Sequence, residues 1–470
     1  MKEYSKFFIS FVVFIALFAA IDCVGWKPGD FDIINLKVIL LFVYAVFLWA
    51  AQVLPNSMIS ILIIVLIGLL KLDSFSNVIA YSFGNTVFIF VFSVIAISYA
   101  FSKSGLPELI SQALMNRFGG SSKKILFSLM FTSYILSMFL TVIAGVSIAF
   151  PIAMQVININ KLERGNRFAK SCMIGITYAG LIGGIATPLG TPVNLLMIQY
   201  LKDLGGFNLS FSHWMAIGLP LSFILLLTAF ILLCQGFRIK TISIQAMESK
   251  PVRPSSESKL AIAAFSIIIA LILFSQVLES NIHWLSININ LISLICILML
   301  ALPPFRIIKW KDAIRNLDWD SLVFLAGSIA LGYLIFNTGT ASLIAGAFFG
   351  VMGDLNLYLY VFVFCLFTVI LHITLSSNTV TGTIIIPILI SFAQQLGVSP
   401  WYVAAPAVYC ISLAFILPTE SPTNIITYNS GYYEIKDMVK YGSVLTLASI
   451  LIISVFLIIF GGITGLYTIG

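Results

Sequence analysis

Between Thr374 and Thr383 the chain carries seven hydroxyl or amide side chains (Thr374, Ser376, Ser377, Asn378, Thr379, Thr381 and Thr383) with no charge among them, just ahead of Pro387. Such neutral oxygens, together with turn carbonyls, suit a hard cation such as sodium. A helix N-terminus freed by a break offers N–H groups and a partial positive charge, which suit the oxygens of an anion. The other half of the chain echoes the pattern. Ser377-Asn378-Thr379 stands ten residues before Pro387, and Thr141-Val142-Ile143 stands ten residues before Pro151. Farther on, Thr191-Pro192-Val193-Asn194 and Ser421-Pro422-Thr423-Asn424 share the pattern [S/T]-P-x-N. A single Ser or Thr in a membrane helix commonly bonds back to a carbonyl or holds helices together. A cluster repeated in both halves points instead to a binding site for an anion and a small cation.

The segments around these residues are apolar. Hydrophobic residues make up 60% of the 470 and charged residues 9%, where a soluble domain has about 25% charged. Runs near the ~20 residues needed to cross a bilayer recur along the whole chain. The pattern predicts an all-α polytopic membrane protein with spans over 7–24, 33–52, 56–72, 78–101, 171–200, 214–237, 258–277, 284–302, 320–340, 401–430 and 441–465. That makes about eleven transmembrane helices. Two further apolar segments, 124–155 and 357–395, are interrupted by polar clusters and read as re-entrant hairpins. The first run lacks a small-residue cleavage site and reads as a retained helix. The six cysteines (23, 172, 234, 296, 365 and 410) lie in apolar segments without C-x-x-C spacing and read as small core residues.

Charge supplies the orientation. With the N-terminus in the cytoplasm and two hairpins, all but four (Lys27, Lys37, Lys71 and Lys202) of the 25 Lys and Arg fall on the cytoplasmic side. The positive-inside rule requires this asymmetry, and it accounts for the net charge of +7 without a nucleic-acid partner. The stretch 239–257 reads as a cytoplasmic linker. It divides an N-terminal helix (1–32) and a first repeat (33–238, hairpin about 124–155, broken helix about 171–200) from a second repeat (258–470, hairpin about 357–395, broken helix about 401–430). The first hairpin opens to the cytoplasm and the second to the outside, so the repeats are inverted. Inverted repeats with broken helices meeting near mid-bilayer are the architecture of secondary transporters. A narrow channel would show charge rings or a carbonyl-rich filter. An enzyme would need a nucleophile–base pair or metal ligands, yet His213, His283 and His372 are scattered and no H-E-x-x-H or G-x-S-x-G occurs.

At these residues the chain resembles the divalent anion/sodium symporter family, which includes sodium–dicarboxylate, sodium–citrate and sodium–sulfate carriers. The resemblance runs from about residue 33 to the C-terminus. It rests on Ser377-Asn378-Thr379, the family's Ser-Asn-Thr hairpin signature, and on "GTPVN" (190–194) and "ESPTN" (420–424). The contexts "FSKSGLPELI" (101–110), "HWMAIGLP" (213–220) and "LDWDSLVFLAGSIALG" (317–332) add to it. The resemblance implies a homodimer in the cell membrane, in contact with its lipid, whose transport domains move as elevators driven by sodium. It implies no cofactor beyond the coupling ion and no transition metal. It assigns substrate contacts to Ser377, Asn378, Thr379, Thr141, Thr191, Pro192, Ser421, Pro422 and Thr423. Sodium, or another coupling ion, is implied at Ser137, Thr141, Gly190 and Asn194 and at Ser376, Ser377, Asn378, Glu420 and Asn424.

Two departures bear on function. Val142 and Ile143 stand where the family has an amide and a hydroxyl, and valine cannot ligand sodium or bond a carboxylate. Glu420 stands where the family usually has a small residue, and an intramembrane carboxylate is a functional candidate in its own right. It can ligand sodium, carry a coupling proton or bind a positive group; it can also face water or pair with a basic residue at the cytoplasmic mouth. His372, at the start of the second hairpin, is a candidate proton relay or a structural residue. The expectation is therefore a sodium-coupled importer of a small anion, most often a di- or tricarboxylate in this family. Alternatives are a proton-coupled carrier using Glu420, a sodium-independent anion exchanger, a sulfate transporter and a channel.

Overall fold

The structure, a computed structural model, describes residues 2–24, 32–118, 120–245, 256–274, 288–352 and 355–464. Most of linker 239–257 and His283 lie outside the described residues. Without water to satisfy backbone groups, an apolar chain hydrogen-bonds within its own helices, and the fold follows from that. The helices of the first half are α1 (Lys2–Val24), α2 (Ile33–Ala51), α3 (Asn56–Leu69), α4 (Phe75–Tyr81), α5 (Thr86–Lys103), α6 (Leu106–Phe118), α7 (Ser122–Phe139), α8 (Val142–Ile159), α9 (Arg167–Ala186), α10 (Pro192–Asp203) and α11 (Phe211–Gly236). Those of the second half are α12 (Ser256–Leu273), α13 (Ile289–Ala301), α14 (Trp310–Arg315), α15 (Trp319–Asn337), α16 (Thr340–Met352), α17 (Leu357–Leu375), α18 (Asn378–Gln395), α19 (Pro400–Ile411), α20 (Pro422–Tyr428) and α21 (Ile435–Thr464). Among the described residues the strands are two short ones, Gly120–Ser121 and Ser243–Ile244, paired antiparallel.

Nine of these helices are long and apolar enough to cross a membrane, among the described residues. Three shorter apolar helices, α3, α12 and α13, join them. The chain is an all-α, multi-pass membrane protein. The predicted span 78–101 is two helices in the structure: the chain breaks at Gly84-Asn85, and the Asn85 side chain caps α5 by accepting from the Val87 N–H at 2.8 Å. Of the cysteines read as core residues, 172, 296, 365 and 410 are buried, whereas Cys234 is only half-buried and Cys23 is exposed.

The segments 122–159 and 357–395 each form a helical hairpin closed by a two-residue turn, α7–α8 through Leu140-Thr141 and α17–α18 through Ser376-Ser377. The two broken helices, α9–α10 and α19–α20, stop short of their second halves at residues 187–191 and 412–421. Packing crosses between the halves. Helix α10 lies against α18 of the second hairpin, and α20 lies against α8 of the first. The two hairpin tips and the two breaks are thereby drawn into one region.

Candidate functional site

Each hairpin tip is built in the same way. Thr141 and Ser377 take extended N-cap conformations, and their hydroxyls accept from the N–H groups of Ala144 and Val380, each at 3.4 Å. Val142 and Asn378 therefore occupy the first helical position, and Ile143 and Thr379 the second, with Pro151 and Pro387 at the same register inside the second arms. The tips differ in their entry. Leu140 is extended, whereas Ser376 is left-handed at φ 51, a conformation that costs a non-glycine residue about 1 kcal/mol. The Ser376 N–H bonds the His372 carbonyl at 2.7 Å.

The broken helices also match, and the backbone groups freed at each break are satisfied in parallel. Asn194 donates its amide to the carbonyls of Gly184 and Thr187, both at 2.9 Å. Asn424 donates to the carbonyls of Ala414 and Leu417, both at 2.8 Å, with the same sequence spacing. Between these acceptors, the Ile185 carbonyl takes the Trp214 indole N–H at 3.1 Å and the Phe415 carbonyl takes the Tyr178 hydroxyl at 2.9 Å. The shared pattern [S/T]-P-x-N thus has a structural cause: proline opens the second half-helix, and asparagine, two residues later, ties back the end of the first. The glycines of "HWMAIGLP" (213–220) and of "DMVKYGSV" (437–444), the stretch that follows the second break, belong to the same arrangement. A Cβ on Gly218 would stand 2.9 Å from the Ile185 oxygen, and one on Gly442 would stand 2.0 Å from the Phe415 oxygen.

Buried polar atoms are nearly always hydrogen-bonded, and of those among the described residues that lack a protein partner, several fall at the breaks. At the first break the Ser137 Oγ, Thr191 Oγ1 and Asn194 Oδ1 atoms are buried without a protein partner. At the second break the same holds for Asn424 Oδ1 and Glu420 Oε1. Oxygens of this kind are the hard donors that a cation such as sodium prefers. Glu420 is 2% exposed, and its other oxygen accepts the Ile416 N–H at 3.1 Å. The reading that Glu420 faces water or pairs with a basic residue at the cytoplasmic mouth does not hold: the carboxylate is buried and caps its own break.

Among the other candidates, Gly190 is buried with Thr191, and Pro192 and Pro422 open α10 and α20. Ser421 and Thr423 share a hydrogen bond at 2.7 Å. Ser376, Ser377, Asn378, Thr379 and Thr141 are half-buried, which leaves their polar groups within reach of a solute. Val142 is 7% exposed and points into the first break, where its Cγ2 would lie 2.5 Å from a Cβ on Gly184 and the Thr191 methyl 3.2 Å from it. A methyl group therefore fills space beside the first break.

His372 corrects its sequence reading. It lies near the end of α17, one turn before the tip, not at the start of the hairpin. It is 2% exposed, its ring lies beside the Asn378 side chain, and Nε2 has no protein partner. The sequence reading missed Thr187, whose hydroxyl bonds the Met138 carbonyl at 2.5 Å and fastens the first break to the first hairpin. Its place three residues before Gly190 was the available signal.

The two hairpins differ in cover. Every residue from Val380 to Ala393 of α18 is buried, because α10, α15, α16 and α19 surround that helix. Along α8, Ile143, Ser147, Pro151 and Gln155 recur every fourth residue and all are exposed. Serine and glutamine on that stripe suit water rather than lipid.

Paired hairpins and broken helices in a multi-pass, all-helical chain define a membrane transporter. The structure is similar to the YdaH transporter of Alcanivorax borkumensis (TM-score 0.57, 15% identity, 83% of this chain and 87% of that one). It is likewise similar to MtrF of Neisseria gonorrhoeae (TM-score 0.58, 14% identity, 93% and 97%). At that identity the likeness shows the fold. The chain belongs to the sodium:sulfate symporter transmembrane-region family, which it matches over residues 5–466. The match reaches into α1, beyond the residue 33 at which the motif resemblance began. Relatives named sodium-dependent dicarboxylate transporter SdcS share 28% identity. The Staphylococcus saprophyticus protein aligns over 88% of this chain and 84% of its own length, and that of Staphylococcus aureus over 91% and 86%. The family is one of transporters, not enzymes.

Proposed function

We propose that the protein is a sodium-coupled secondary transporter that imports a small organic anion by an elevator movement of its hairpins and broken helices. The relatives' names support sodium as the coupling ion and bring dicarboxylates as the cargo class. The observation that carries the proposal is the set of buried, unpartnered oxygens at both breaks, beside two capped helix N-termini. Sodium would meet Ser137, Thr191 and Asn194 at the first break. At the second it would meet Asn424 and Glu420, with Ser376 and Asn378 at the adjoining tip. The anion would meet Ser377, Asn378, Thr379, Thr141, Ser421 and the N-termini opened by Pro192 and Pro422. No permanent positive charge is needed, because sodium and helix N-termini together offset the anion.

Charge supports an orientation. Arg167, Lys170, Arg238 and Lys440 border one cavity of about 370 Å³ at the start of α9. Asp73 and Asp203 border another of about 440 Å³ at the far end of α10. The basic face suits the cytoplasm, which supports an N-terminus inside, a first hairpin toward the cytoplasm and an inward-opening vestibule along the exposed stripe of α8. A protomer built as repeats 33–238 and 258–470, joined through 239–257 and paired as a homodimer, fits this reading. The buried carboxylate of Glu420 favours a second reading, in which a proton replaces one sodium. Uptake by the protein in proteoliposomes, with sodium outside or replaced by choline, tests both. Symport collapses without sodium, whereas uptake that follows a proton gradient in choline overturns sodium coupling.

A further inference from the structure

We propose that the cargo is anionic at one end and hydrocarbon at the other: a short-chain monocarboxylate, held by its carboxylate at the second hairpin and by its tail at Ile143. This departs from the dicarboxylates that the relatives' names bring and rests on the reading of the site as an anion transporter's. The two tips occupy equivalent helical positions yet present different chemistry. Asn378 and Thr379 are half-buried polar groups on a capped N-terminus, able to donate to carboxylate oxygens. At the same positions of the first tip, Val142 turns away into the break and Ile143 stands 47% exposed.

Ile143 heads the stripe that continues through Ser147 and Gln155. The polar members of that stripe set it against water rather than lipid, so the isoleucine is an apolar patch on the wall of an aqueous path. Ile425, on α20 packed against α8, is 42% exposed, while the equivalent Leu195 of the first half is 7% exposed. Both bared branched side chains therefore belong to the elements around the first tip. A second carboxylate placed there would lose water to methyl groups and find no side-chain amide or hydroxyl donor at Val142 or Ile143. A hydrocarbon tail would instead cover apolar surface, which is favourable.

The test uses the whole protein in proteoliposomes under a sodium gradient, with pentanoate, succinate and sulfate as competing substrates. Pentanoate is expected to be taken up with an apparent affinity about tenfold better than that of succinate. Ile143→Thr is expected to reverse that order while the melting temperature stays unchanged, because the side chain is exposed. Preference of the unaltered protein for succinate or sulfate, with Ile143→Thr neutral, overturns the monocarboxylate assignment and leaves sodium-coupled anion transport standing. Absence of sodium-driven uptake for all three anions, in protein whose melting temperature shows it folded, overturns both.

Discussion

The two hairpins share a backbone plan and differ in what they do with it. Each closes in two residues, caps its second arm with a hydroxyl and carries a proline ten residues on. The second tip uses that frame for polar chemistry. Its left-handed Ser376, its amide at Asn378 and the His372 ring beside that amide lie together there. The first tip uses the frame for packing, with Val142 filling the space beside Gly184. The two halves thus share the elements that satisfy the breaks, the paired asparagines above all, while the side chains at the hairpin tips diverge.

That contrast breaks most sharply at Asn378. Asn378→Ala should lower uptake about 10- to 100-fold, the loss expected for a hydrogen bond to a charged group, while Val142→Ala lowers it far less. Equal losses at the two tips, measured as initial uptake rates, would sink the assignment of the grip to the second hairpin. Next comes Glu420→Gln, expected to raise the sodium concentration for half-maximal uptake roughly tenfold, since a charged ligand becomes a neutral one. A sodium titration that does not move makes the carboxylate a structural cap for Ile416.

The third prediction concerns fit between the halves. A Cβ at Gly382 would stand 2.3 Å from Val193 Cγ2, so Gly382→Ala should destabilise by about 1–3 kcal/mol, read as a lowered melting temperature. An unchanged transition would mean that α10 and α18 do not pack as described. The smallest effect is expected from Val142→Asn, which returns an amide to the first tip. Steeper sodium dependence, by roughly twofold in half-saturation, would mark the first cation site as weakened, and no change would mark Val142 as a replacement within a site that Ser137, Thr191 and Asn194 already complete.

Much of the frame was readable from residue order. The interruptions at 140–141 and 376–377 lay inside the segments where polar residues broke an apolar run, and the two [S/T]-P-x-N stretches fell at the breaks. Apolar length and proline placement act locally, through helix hydrogen bonding, so a linear pattern carries them. Other features were not readable. Nothing in the order of residues put His372 against Asn378, because the contact depends on the left-handed turn at Ser376.

By itself the sequence determined that the chain is helical, apolar enough for a membrane and broken at four repeated places, since these follow from backbone chemistry within each segment. Only the tertiary structure decided that Glu420 is buried as the cap of its own break, that Val142 turns into the first break while Ile143 stays bare, and that α18 is enclosed while α8 is open. Those outcomes depend on which helix faces which, and that is settled by packing between segments far apart in the chain.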